Sequence, residues 1–287
     1  MKLALTQALL FCLLAANARA EPRLEVALSG RLGQSRAPYV TSAFPEVSGY
    51  GAAVTLEARL RLSSQLSLGV RAPLVLARVE QPAGALYAEA AWANPELSLA
   101  FERPWWQRDD WKLSWSTWLA LGAPLAEHDR AQLAGRALHL ADAWEGFSEP
   151  ELYTPGVLPV TPAGSVALSG RRWRFLASLK LPLLLRVSQA SLPSESETRS
   201  VGTVPVAELE ARWQVMQRLA LAAAPRLTLR AVTPVDDQAG AVQLLAAGRA
   251  EFRLAEALTL CVSLQAPVAG PLGGTTVAGG LAARGSF

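Results

Sequence analysis

Charged residues at every second position are the most specific chemical feature of this chain. Glu57, Arg59 and Arg61 form one triplet, Glu208, Glu210 and Arg212 a second, and Arg249, Glu251 and Arg253 a third. A spacing of two puts each triplet on one face of a β-strand, whereas a helix would scatter its members. Guanidinium groups lining a passage bias it toward anions. Carboxylates among them allow the opposite outcome, a passage closed by internal ion pairs.

Catalytic chemistry has less to work with. The two histidines, His128 and His139, are eleven residues apart, with no ligand spacing of cysteines or acids around them. His128-Asp129 and Asp236-Asp237 have the composition of acid/base pairs, but adjacent residues of a strand point to opposite faces. Asp236-Asp237 could hold a calcium ion weakly. Gly270, Gly273 and Gly274 suit a hairpin loop better than a phosphate cradle. The sequence implies no metal and no cofactor.

The elements that must carry these residues follow from composition. Only 18% of the 287 residues are charged, 51% are hydrophobic, and mean hydropathy is positive at +0.21. That excludes a disordered chain, which needs low hydrophobicity and high net charge. It also argues against a nucleic-acid binder, which concentrates basic charge. Residues 1–20 read as a secretory signal peptide: Lys2, an apolar run from Leu3 to Ala16, and Ala18-Arg19-Ala20 before the cut. Removal leaves residues 21–287 with a net charge of +1 and one cysteine, Cys261. No internal disulfide is then possible. No later segment has the roughly 20 apolar residues of a membrane helix. An exported, apolar chain without such a helix points to a closed transmembrane β-barrel.

Alternating hydrophobicity supports that reading. Leu24, Val26, Leu28 and Leu32 alternate with small or charged residues, and Val54, Leu56, Ala58 and Leu60 with Thr55, Glu57, Arg59 and Arg61. Such runs recur twelve times, the last ending at Phe287. Tight connections at Ser63-Ser64, Arg108-Asp109-Asp110, Arg171-Arg172, Gln217-Arg218 and Ala255-Glu256 alternate with longer ones. The expectation is all-β: one antiparallel barrel of about 12 strands, with short periplasmic turns, long extracellular loops and both termini periplasmic.

Opposite the apolar stripe the charges are mostly basic. The acids are Glu25, Glu57, Glu102, Glu208, Glu210 and Glu251. The bases are Arg31, Arg59, Arg61, Arg71, Lys112, Arg171, Lys180, Arg212, Arg226, Arg230, Arg249, Arg253 and Arg284. A one-residue slip would turn these charges into lipid, so the register should be firmly set. Trp105, Trp106, Trp111, Trp173 and Trp213 cluster by the tight turns, where an interfacial belt belongs. Pro73, Pro124, Pro182 and Pro267 recur late in odd-numbered strands and should bend them or interrupt their ladders. The longest connection, about residues 127–155, carries Leu133, Leu138, Leu140, Trp144 and Phe147. That is too apolar for a loop in water. It should fold over or into the mouth, with a short helix over Gln132–Trp144 and with Leu138, Trp144 and Phe147 as gating contacts.

The terminal Phe287, preceded at every second position by Gly285, Ala283, Leu281, Gly279 and Val277, resembles the C-terminal assembly signal of bacterial outer-membrane barrels. The elements Ala72-Pro73-Leu74 and Leu181-Pro182-Leu183, with the run from Asn94 to Glu102, are similar to outer-membrane transporters. These are the ones grouped with the phenol-degradation meta-pathway and, more distantly, the fatty-acid transporter superfamily. That resemblance implies an outer-membrane location, passage of small solutes, hydrophobic or anionic, membrane lipid as surroundings, and the barrel-assembly machinery as partner of Phe287. The expected function is passive uptake through a lumen lined by the three triplets. The alternative is a closed structural or surface-interaction barrel. A hydrolase is the remote alternative and would need His128.

Overall fold

The computed structural model describes residues 23–41, 44–80, 84–126, 133–187, 201–230 and 241–287. The chain forms a closed barrel of 12 antiparallel strands. In chain order these are β1 (Arg23–Thr41), β2 (Phe44–Arg61), β3 (Leu66–Glu80), β4 (Leu86–Trp92 and Glu96–Arg108), β5 (Trp111–Gly122) and β6 (Val157–Ser169). Then follow β7 (Trp173–Lys180 and Leu183–Arg186), β8 (Val201–Thr203 and Val206–Met216), β9 (Leu219–Ala223 and Arg226–Arg230), β10 (Ala241–Ala255), β11 (Leu258–Ala269) and β12 (Thr276–Ser286). Each strand pairs with its neighbours in sequence, and β1 pairs with β12 from Glu25↔Ser286 to Ser35↔Thr276. Reciprocal main-chain bonds between Leu24 and Phe287, 3.1 and 2.8 Å, finish the seam. Every run of alternating residues singled out in the sequence lies in one of these strands, except that the last strand stops at Ser286, one residue short of Phe287.

The tight turns and the two ends of the sheet share one end of the barrel. At the β2–β3 turn, Ser63 Oγ accepts from the Gln65 and Leu66 amides. At the β4–β5 turn Asp109 takes a φ of +51°, the left-handed conformation that a two-residue hairpin demands and aspartate tolerates. The outer face is apolar: Leu32, Leu264 and Leu281 are each more than 60% exposed. In water such a surface would aggregate, and in a bilayer it is solvated. Trp105, Trp106, Trp111 and Trp173 are exposed by the turns. Trp213 sits directly across from Trp173 in the register, and their rings stack at 5.6 Å.

Proline sets the irregularities. Pro182 interrupts β7, Pro124 follows the end of β5, and Pro267 faces a register shift in β10. At Pro73 the β3 ladder passes from one segment of β4 to the other. The interruptions extend beyond the odd strands, because Pro95 and Pro205 break β4 and β8; Pro225 breaks one further odd strand, β9. Each proline lacks the N–H that a continuous ladder needs.

The hydrophobic core is inside the barrel. The connection between β5 and β6 folds inward as α1 (Leu133–Trp144) and α2 (Pro150–Tyr153). Alanine and leucine dominate α1, and nearly all of its residues are buried, Arg136 and Asp142 among them. Gly146, at φ +68°, ends it. Phe147 N–H bonds Asp142 O at 2.8 Å and Gly146 N–H bonds Ala143 O at 2.9 Å, the paired bonds of a Schellman stop. Leu138, Leu140 and Trp144 pack on Val47, Ala53, Val75, Ala77, Val79 and Ala91 of the wall. Ala143 and Phe147 join Ala37 and Leu272 in a second cluster.

Candidate functional site

The plug needs room, and glycine supplies it. Gly33 and Gly51 face each other across β1 and β2. A Cβ on Gly33 would lie 2.3 Å from the Trp144 ring, and one on Gly49 would lie 2.6 Å from Leu140 Cδ1. Neither contact is possible unless the Trp144 or Leu140 side chain moves from its place. The wall of β1 to β3 therefore has a niche shaped to α1.

Polar contacts fix the plug at its ends. Asn94, fully buried in the break of β4, donates through Nδ2 to Thr154 O at 2.8 Å and Glu151 O at 3.3 Å. Its Oδ1 accepts from the Ala126 amide at 3.0 Å. One side chain thus clasps both stems of the inserted segment. Gln265 Nε2 donates to Trp144 O. Three carboxylates of the plug meet bases of the wall. Arg31 pairs with Glu145 at 2.7 Å, Arg71 with Glu149 at 2.7 Å, and Lys180 with Glu151 at 2.5 Å. Burial opposes charge on all three. At Glu149 the combined pull of Arg71, Lys180 and Arg226 wins, and the carboxyl is held well below the usual carboxylate range. At Glu145 and Glu151 burial wins and pushes the carboxyl up. Glu149 is therefore the firmly charged anchor.

Toward the turn end the lumen opens into a cavity of about 740 Å³. Glu57, Glu208, Glu210, Arg212, Arg249 and Glu251 line it, together with Arg31, Glu145, Arg174, Arg226, Cys261 and Arg284. Arg59, Arg61 and Arg253 are not among its lining residues. Within the third triplet Arg249 and Glu251 pair at 3.1 Å, but most of the triplets' ion pairs reach to other strands. Glu57 pairs with Arg71 at 3.3 Å and Glu208 with Arg226 at 2.7 Å, each directly across a ladder. Arg212 reaches Glu251 at 2.8 Å and Arg249 reaches Glu210 at 2.6 Å. Both of these span the whole of β9, whose inward residues Ala220 and Ala222 are too small to intervene. Arg59 bonds Ser67 Oγ, Arg61 lies 4.0 Å from Glu25, and Glu102 is exposed.

A second cavity of about 180 Å³ lies beside the plug, among Arg71, Glu96, Trp118, Glu149, Thr161, Ser178 and Lys180. Glu208 and Arg226 line both cavities. Sequence reasoning passed over Asn94 as a contact and over Glu145, Glu149 and Glu151 as lumen groups. Asn94 preceding a strand-breaking proline was the available signal.

Of the remaining sequence candidates, Leu138, Trp144 and Phe147 are fully buried in the plug. His139 sits on α1, its ring 5.5 Å from that of Phe147. His128, Asp236 and Asp237 lie outside the described residues.

This architecture has known counterparts. The COG4313 outer membrane channel from Pseudomonas putida F1 superposes with a TM-score of 0.60 at 14% identity, over 94% of this chain and 98% of that one. The chain has the fold of outer-membrane channels. The NanC porin matches with a TM-score of 0.50 at 7% identity, over 90% of this chain and 98% of the porin. No family model and no curated protein matches by sequence.

Proposed function

We propose that this barrel is a channel for passive uptake of small solutes, narrowed by its inserted segment. The observation that carries the reading is the pair of polar cavities, one below the plug and one beside it, sharing Glu208 and Arg226. In this reading solute passes along β5 to β9, past Lys180 and Arg226, when the segment around Glu149 moves. The triplet residues that line the larger cavity then shape its narrow part, with Arg59, Arg61 and Arg253 toward the turn end. Solutes are small, and hydrophobic or anionic. In this reading residues 1–20 are a cleaved signal, the turn end faces the periplasm, and Phe287 addresses the assembly machinery.

Planar-bilayer recording of refolded residues 21–287 tests the proposal. Discrete current steps are expected, with larger or more frequent openings in Glu149→Gln, which loses the ion pair with Arg71. Silence from folded protein of both forms would sink it. That outcome would favour a closed structural or surface-interaction barrel. Its supporting observation is that five of the six lumen acids named from the sequence stand in ion pairs: Glu25, Glu57, Glu208, Glu210 and Glu251.

A further inference from the structure

The charges of the larger cavity do not cancel, and the remainder falls at two identifiable places. Each acid that lines it is engaged: Glu57 by Arg71, Glu145 by Arg31, Glu208 by Arg226, Glu210 by Arg249, and Glu251 by Arg212. Two guanidinium groups in the same lining, Arg174 on β7 and Arg284 on β12, face the space with no carboxylate within ion-pair distance among the described residues. Arg174 also stands directly opposite Arg212 in the β7–β8 ladder. Two like charges paired across strands repel each other, so a ligand charge between them is favoured. Arg284 has Thr259 and Ala27 as its ladder partners, which offer it no counter-charge.

We propose that the turn-end cavity binds small organic anions, carboxylates above all, at its two unengaged guanidiniums, Arg174 and Arg284. Guanidinium groups suit this ligand because their planar donors match a carboxylate. The internally paired arginines hold the barrel walls in register, and the two unpaired ones supply the selectivity. This refines the channel reading by naming its solute class, and it moves charge selection away from Arg212 and Arg249, whose guanidiniums are already engaged. The cavity, at about 740 Å³, has room for a small carboxylate with its water. Ligand exchange remains fast because both arginines are exposed to that space.

The chain carries its own reporter. Cys261 lines the same cavity and pairs with Ala282 in the register, so Arg284 is its diagonal neighbour on β12. Cys12 lies in the segment read as a signal peptide, so residues 21–287 hold a single thiol. Folded protein in detergent is reacted with an anionic sulfonatoethyl or a cationic trimethylammonium-ethyl methanethiosulfonate. The Cys261 thiolate forms the mixed disulfide and methanesulfinate departs. The adduct is followed by mass spectrometry.

The anionic reagent is expected to gain on the cationic one by about fivefold at low ionic strength, and to lose that advantage near 1 M salt. Arg174→Ser with Arg284→Ser should abolish the preference, while the pair of lysine substitutions should retain most of it. An equal ratio of rates in wild type and in the serine variant would overturn the proposal. Both variants are checked for the heat-dependent gel shift of a folded barrel, and each single substitution serves if the double does not fold. The assay needs no current through the barrel. Charge-dependent labelling in a silent barrel would leave the anion site standing and remove the channel. A conducting barrel with charge-blind labelling would do the reverse.

Discussion

At the scale of single residues, Asn94 shows how one polar side chain can govern a large segment. It is buried, and its amide satisfies the Ala126 N–H and the carbonyls of Glu151 and Thr154. Asn94→Ala leaves those groups without partners inside the protein, at a cost of about 1–3 kcal/mol for each buried group left unsatisfied. The barrel itself does not depend on these bonds. The expected result is therefore selective: faster protease cleavage near residues 126–154, with the gel shift of the folded barrel retained. Cleavage at the wild-type rate would show that the clasp contributes little. Glu149 holds the other side of the same segment, but through charge. The pair is buried, so salt screens it only weakly, and Glu149→Gln is the change that removes the charge contact while sparing the Asn94 contact.

At the scale of elements, the fit between α1 and the wall depends on absent side chains. Gly33→Val places atoms where the Trp144 ring lies. Overpacking of this kind costs about 1–3 kcal/mol, and displacing the plug relieves it without breaking the ladder. Larger current steps in the bilayer are expected for Gly33→Val, and none for Gly30→Val, whose Cβ would meet nothing within 4 Å. Equal behaviour of the two would exclude the niche as the seat of the plug. The same contrast explains what was legible in the sequence. Lipid on one side and polar groups on the other force a period of two, so all twelve strands and the five tight turns could be read directly. Alanine, leucine and tryptophan in the long connection announced a helix that avoids water. The place where that helix docks was not legible, because Gly33 and Trp144 meet only once the barrel closes. The ion pairs were hidden for a similar reason. Neighbours such as Glu210 and Arg212 share a strand face, yet each finds its partner beyond β9, and only the small Ala220 and Ala222 make that reach possible.

At the scale of the whole molecule, the barrel is an inverted globule, with two solvents and two rules for charge. Inside, Arg284 stands exposed to the cavity without a counter-ion among the described residues, at little cost, because water reaches it. Outside, Leu281, in the middle of the same strand and 62% exposed, faces hydrocarbon. The strand alternates between these environments at each step, so its register is held by energy on every residue. Leu281→Arg should cost about 2–4 kcal/mol, the penalty for an arginine near the bilayer midplane. Arg284→Ser should change stability by less than about 0.5 kcal/mol, as for an unpaired group in water. Reversible urea unfolding in lipid vesicles, followed through the tryptophan emission of the belt at Trp105, Trp173 and Trp213, measures both. β12 is also the closing strand, bonded to β11 on one side and β1 on the other. A defect there is therefore felt as loss of closure rather than as fraying of one edge, and the unfolding transition of Leu281→Arg should stay cooperative while its midpoint falls. A broad, multistep transition would show instead that β12 detaches independently, and that the seam between Leu24 and Phe287 is the weak point of the barrel.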